Sequence, residues 1–154
     1  LRGANQKMGR TKDRDRSAAF PFELPRRLIN MYSVYGDTVL DPFVGTGTTM
    51  AAAVATARSS VGVEFATGLA PFVEKSILAG AKDSTALAKN RLQAHAEFVS
   101  KRLSEKKTLK HENLPHGFPV MTRQEVAMSL QVTSHIRNVD TMCFEATHAA
   151  LNSD

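Results

Sequence analysis

The stretch Asp41-Pro42-Phe43-Val44-Gly45-Thr46-Gly47-Thr48-Thr49, running through Met50 into Ala51-Ala52-Ala53-Val54-Ala55, decides the fold class of this chain. Ahead of it, Gly36-Asp37 makes a turn and Thr38-Val39-Leu40 reads as a short buried strand. Gly45 and Gly47 let backbone come close to a ligand, and the alanines start a helix whose small side chains pack tightly on a sheet. Downstream, Val61-Gly62-Val63 reads as a second strand ending in Glu64, about 20 residues past the glycines, where a carboxylate can accept hydrogen bonds from ribose hydroxyls. Strand, glycine loop, helix, strand and acid make an α/β unit with a nucleoside cradle at the strand ends. On this reading a β-branched side chain at Gly47 would fill ligand space, costing binding and sparing the fold.

The charges of the loop select among cofactors. A dinucleotide loop needs a third glycine and freedom from acid, because a pyrophosphate sits on the helix N-terminus. Here Met50 stands at that glycine's place and Asp41 closes the strand directly under the loop. A phosphate-binding P-loop needs Gly-Lys-Ser/Thr, yet Gly47 is followed by Thr48. An acid beside the loop suits a cation, and S-adenosylmethionine, with its ammonium and sulfonium and no phosphate, fits best.

Four segments now carry a family resemblance: Phe20-Pro21-Phe22-Glu23-Leu24-Pro25-Arg26-Arg27-Leu28-Ile29, Gly36 to Phe43, Gly45 to Thr49, and Val61 to Glu64. In this order they resemble the C-terminal half of DNA amino-methyltransferases of the beta arrangement, which methylate the exocyclic amino group of cytosine or adenine. The likeness spans residues 16–100, and Lys110-His111-Glu112-Asn113 with Gly117-Phe118-Pro119-Val120 is similar to the tail of one subgroup. It implies a Rossmann-like S-adenosylmethionine-dependent methyltransferase fold with a partial sheet and a helical C-terminal extension. It further implies that Phe20 and Pro21, as a lid, enclose the methionine part of the cofactor together with Asp41, Phe43, Gly45, Gly47, Thr48 and Thr49, and that Glu64 takes the ribose. DNA is the implied partner, its target base flipped out of the duplex.

The chain departs from the family in two ways. Arg16-Ser17-Ala18 stands where the family has His-Pro-Ala, and the catalytic Asp/Ser/Asn-Pro-Pro-Tyr tetrad is absent. Asn113-Leu114-Pro115-His116 has a superficial likeness to that tetrad, but Leu114 replaces a proline, His116 is a poor stacking ring, and no strand signal leads into it. It reads as a loop, so no catalytic residue is assigned. The expectation is the cofactor-binding portion of a longer or split enzyme, inactive alone, with its catalytic and target-recognition region in cis or in trans. The alternatives are a methyltransferase acting on RNA or a small amine, and a catalytically silent cofactor- or DNA-binding module.

Composition agrees with a DNA-associated protein. The 154 residues hold 20 Lys and Arg against 15 Asp and Glu, and a pI near 9.6 favours a polyanionic partner. Arg2, Lys7, Arg10, Lys12, Arg14 and Arg16 crowd the start, as a phosphate-neutralising segment or a solvated linker. Lys101, Arg102, Lys106, Lys107 and Lys110 read first as a solvated helix end and second as a DNA contact. A lone Cys143 excludes an internal disulfide and suits a reducing cytoplasm. No membrane span or signal peptide is expected, and the five histidines lack the spacing of a metal site.

Three parts are expected: a basic extended segment or linker (1–17), the cofactor-binding part (18–105), and a loop and helical extension (106–154). A helix should start near Glu23 with Leu24, Leu28, Ile29, Met31 and Tyr32 on one face. A second should run from Leu69 to Leu78 and stop near Gly80, and a third from Ser84 to Ser104, with Leu87, Leu92, His95, Phe98 and Val99 at helical intervals. Residues 109–119 read as loop, Gln124 to Leu130 as a short helix, and 131–154 carry no recognisable chemistry.

Overall fold

In the computed structural model, which describes residues 20–151, the chain opens with α1 (Glu23–Tyr32). The basic segment at 1–17 lies outside the described residues. Glu23 in the first turn of α1 accepts hydrogen bonds from Arg26 and Arg27 at 2.7 and 2.8 Å, three and four residues on, where side chains share a face. These guanidinium groups, Arg26 first, hold its pKa down to about 2. The pair therefore stabilises α1 above the ordinary carboxylate range, and the gain is lost as pH falls toward that value. Because the pair is partly solvent-screened, Glu23→Gln should destabilise by no more than about 1 kcal/mol near neutrality, with the difference closing near pH ~2; chemical denaturation at several pH values reads it.

Only one stripe of α1 docks, with Pro25 and Ile29 buried and Ile29 packing with Phe22 and Val39 against Ala52 and Ala53. Leu24, Leu28, Met31 and Tyr32, expected on the packed face, are exposed. Leu24 and Leu28 each lie one residue round the helix from buried Pro25 and Ile29, outside the narrow stripe that docks.

That sheet is the parallel pair β1 (Thr38–Asp41) and β2 (Ser59–Gly62), in register from Thr38↔Ser59 to Asp41↔Gly62, with α2 (Thr48–Ala55) as the crossover. Every residue of α2 except Thr49 is buried, as expected of a helix that is small and apolar all round and has α1 and α3 as neighbours. Partners in a parallel register share a face, so Leu40 and Val61 stand together, and Leu40 is 67% exposed. Val39 and Asp41 on the other face of β1 are half-buried and every residue of β2 is exposed, so the expected strand burial is met in part on one face of β1 and fails elsewhere.

From Ala70 to Ser104 the chain forms one helix, α3, of 35 residues. The expected stop at Gly80 does not occur. Gly80 is buried inside the helix against α2, where an added Cβ would lie 2.4 Å from Ala51 O. The glycine serves close helix–helix contact, a packing role that sequence cannot separate from a helix stop.

Past α3 the expected helical extension is replaced by two antiparallel hairpins. β3 (His111–Asn113) pairs with β4 (Phe118–Val120), so the expected loop at 109–119 contains strands. The short helix expected over 124–130 shrinks to a 3-10 turn, Arg123–Glu125, closed by a Thr122/Glu125 capping box. β5 (Gln131–Asp140) pairs with β6 (Cys143–Ala150) and docks on the helices by polar contacts. Thr133 N–H donates to Ser84 Oγ at 2.9 Å, and Val54 O meets both Thr133 Oγ1 and His148 Nε2 at 3.1 and 2.9 Å. Leu130 and Leu151 close against Ala88.

Candidate functional site

Parallel strands bring their carboxyl ends to the same side, so the turns after β1 and β2 are neighbours. Asp41 ends β1, and its Oδ1 accepts from Phe43 N–H at 2.9 Å, which starts the loop with a side-chain-closed turn. Val63 N–H donates to Asp41 O and Val44 N–H to Val63 O, carrying the ladder just past both strands. Glu64 then joins the two turns. Its Oε2 accepts from Gly45 N–H at 2.7 Å and its Oε1 from Ala66 N–H at 2.8 Å. A carboxylate has about four lone-pair sites, so two remain after these bonds. Glu64 can hold the loop and still accept from hydroxyls of a ligand.

Gly47 is the cap of α2, with φ +84°, and a Cβ on it would meet Val73 Cα at 2.9 Å. The expectation that a side chain here spares the fold is therefore corrected, because Gly47 faces the backbone of α3. Gly47→Val should lower stability by about 2 kcal/mol or more in addition to any effect on a ligand, read by thermal denaturation without ligand. Thr46 and Thr48 are buried and Thr49 half-buried; Ser76 Oγ donates to Thr46 O at 2.7 Å, so α3 holds the loop from its other side. Sequence alone does not single out Ser76 and Val73. Their signal is their shared spacing on the inner face of α3, which means little until the loop is known to lie there.

The aromatic residues of the loop and lid are less enclosed. Phe43 is 86% exposed, Phe20 is exposed, and Pro21 is half-buried at the start of α1, its carbonyl accepting from Leu24 N–H. The aromatic of that segment that packs is Phe22.

A cavity of about 700 Å³ follows β2 from Ser59 and Ser60 to Glu64 and Ala66, floored by Val44, Met50, Val73 and Ile77 and roofed by β6. Glu64 borders it; the other eight expected cofactor residues do not. It runs the length of a strand, so only its Glu64 end adjoins the loop. At the opposite end, buried Arg58 donates to Ser33 Oγ, Ser33 O and Thr56 O and lies 4.9 Å over Tyr35. Burial pulls its pKa downward, and its contacts make it a tie between α1 and β2.

Asn113 of the tetrad-like run is buried with its amide engaged. Its Nδ2 donates to Glu125 O and Met128 O, and its Oδ1 accepts from His116 N–H at 2.9 Å. A strand does lead into it, against the sequence expectation, but the side chain is buried and both of its polar atoms are bonded within this loop region. Among the described residues no group of three His, Cys, Asp or Glu could hold a metal, and no helix is long and apolar enough to cross a membrane.

Comparison with known proteins bears on this geometry. The DNA methylase family matches residues 2–75. Type II methyltransferase M.MthZI of Methanothermobacter thermautotrophicus is 38% identical over 152 residues, 99% of this chain and 41% of that protein. The methylase segment includes the loop and Glu64, and the resemblance to DNA amino-methyltransferases drawn from those residues holds. Type II methyltransferase M.MjaI of Methanocaldococcus jannaschii is 56% identical over 62 residues, 40% of this chain and 20% of its own length. TTHA0409 of Thermus thermophilus, solved with S-adenosyl-L-methionine, is 44% identical, with a TM-score of 0.39 over 40% of this chain and 26% of that one. This chain thus spans well under half the length of the methyltransferases it matches.

Proposed function

We propose that this chain is the S-adenosylmethionine-binding portion of a site-specific DNA methyltransferase of the beta arrangement, acting on the exocyclic amino group of cytosine or adenine. The observation that carries the proposal is Glu64, which bridges the turns after two parallel strands and keeps acceptor capacity beside a loop that has an acid and no lysine or arginine. On this reading β1, α2 and β2 are the nucleotide-binding edge of a Rossmann-like sheet, within a cofactor-binding part at 18–105. Glu64 holds the ribose hydroxyls. Asp41 supplies negative charge for the cationic end, and backbone at Gly45, Gly47, Thr48 and Thr49 lines the path between. Phe43, Phe20 and Pro21 close over the methionine part. When bound, the cofactor supplies an electrophilic methyl group, and this chain binds and orients it. A DNA substrate implies a cytoplasmic site of action.

No described side chain combines a proton acceptor with a stacking ring on a proline-stiffened strand end, so the catalytic and target-recognition region must come from elsewhere, in cis or in trans. Leu40, Val61 and Val63 on the uncovered sheet face, with Leu24, Leu28 and Met31 on α1, give that region an apolar seat. M.MthZI has ample sequence beyond the matched part to supply it.

Calorimetric titration with S-adenosylmethionine tests the assignment of Glu64. Glu64→Ala should weaken binding by about 1.5 to 3 kcal/mol, the worth of hydrogen bonds to a charged acceptor. Equal affinities for the two proteins would remove Glu64 from the site.

A further inference from the structure

The described residues 20–151 hold 14 Lys and Arg against 12 Asp and Glu, close to balance, but residues 101–110 alone hold five against one. Positive charge is therefore concentrated where α3 ends. A helix end carries only about half a negative charge, which Lys101 and Arg102 in the last turn already offset. Arg102 is also occupied structurally, packed over Phe98 at 5.3 Å and donating to Met121 Sδ. Lys107 pairs with Glu105 at 2.6 Å, the single acid of the segment. Lys101, Lys106 and Lys110, with Arg123 from the neighbouring 3-10 turn, are exposed and make no ion pair among the described residues. The segment is not a loose tail. Lys106 takes φ +57° to cap the helix, its N–H bonded to Leu103 O and that of Lys107 to Arg102 O, and β3 begins at His111.

We propose that this cationic end of α3 is a docking surface for duplex DNA, gripping backbone phosphates apart from the cofactor loop. The inference rests on the DNA methyltransferase reading for its choice of polyanion. Unpaired ammonium groups on an ordered backbone, with the exposed Thr108 between two of them, suit contacts that position a duplex without reading its sequence.

The test is fluorescence anisotropy of a labelled duplex about two helical turns long, titrated with the full chain at salt concentrations from about 50 to about 200 mM. Replacing Lys101, Lys106 and Lys110 together by Gln should weaken binding about 10- to 100-fold at the lowest salt. It should also flatten the slope of log K against log salt by about 3, at roughly 0.9 for each phosphate that is no longer neutralised. Arginine at the same three positions should keep both affinity and slope, and Lys75→Gln with Lys82→Gln, elsewhere on α3, should change neither. Circular dichroism confirms that each variant is folded. A glutamine variant with wild-type affinity and slope overturns the proposal, as does a wild-type chain that binds no duplex at low salt. Titration of the same glutamine variant with S-adenosylmethionine separates the two readings. Retained cofactor binding with unchanged DNA binding sinks only the surface, and lost cofactor binding in wild type with the expected change in DNA binding sinks only the cofactor assignment.

Discussion

Valine in place of Gly80 is expected to destabilise the chain by about 3 kcal/mol or more, lowering its melting temperature by roughly 10 °C. An added Cβ at this position would lie 2.4 Å from Ala51 O and 2.8 Å from Ala51 Cα. Both atoms are backbone, so no side-chain rotation relieves the contact and the helices must part. Parting them strips cover from α2, where Ala52 and Ala53 are completely buried, and loosens the loop that α3 holds through Ser76. Cofactor affinity should fall with stability. By contrast, Gly117→Ala, where nothing lies within 4 Å, carries only the strain of its positive φ, about 1 kcal/mol. Differential scanning calorimetry of the two variants separates close packing from backbone strain. A Gly80→Val protein that melts like wild type would show that α2 and α3 do not approach through this glycine.

The second large effect concerns chemistry. No methyl transfer to DNA is expected from this chain alone, and transfer should appear when the segment with the proline-aromatic tetrad is supplied in cis or in trans. An exocyclic base amine is a weak nucleophile, so it must be held in line with the methyl group and relieved of its proton, on a base flipped out of the duplex. Asp41 and Glu64 are engaged at the loop, and the buried Asn113 amide is bonded to Glu125 O, Met128 O and His116 N–H. Transfer of labelled methyl groups to unmethylated DNA is the assay. Asn113→Ala should leave the restored rate of folded protein unchanged while costing about 2 kcal/mol of stability, because buried partners lose their bonds. Robust transfer by the chain alone, abolished in Asn113→Ala, would place the catalytic site there.

What the sequence disclosed follows from which interactions are local. The loop from Asp41 to Thr49 was legible because its glycines, its acid and the alanine helix sit within a few residues of one another, and the order strand, loop, helix, strand that they dictate is the one that forms. Glu64 was legible as a strand-end acid, but not its bonds to Gly45 and Ala66, which depend on how two turns meet. The double meaning of Gly80 was invisible, since a stop and a contact with Ala51 use the same residue. The hairpin at 131–150 was missed for a different reason. Its inward positions include Thr133 and His148, half-buried polar groups that bond Val54 O, so hydrophobic alternation is diluted although Val132, Ile136, Phe144 and Ala146 keep it in part. Exposure of Leu40 and Val61 could not be foreseen either, because an apolar strand does not reveal whether its second face is covered.

The most direct measurement of the central claim is an amide-resolved NMR titration of the isotopically labelled chain with S-adenosylmethionine. The Gly45 and Ala66 amides, both donating to Glu64, together with those of Gly47 and Thr67, should show the largest shifts, while amides of residues 101–110 stay in place. Shifts absent from the loop and Glu64 at saturating ligand, or confined to the hairpins, would contradict the assignment of this segment as the cofactor cradle.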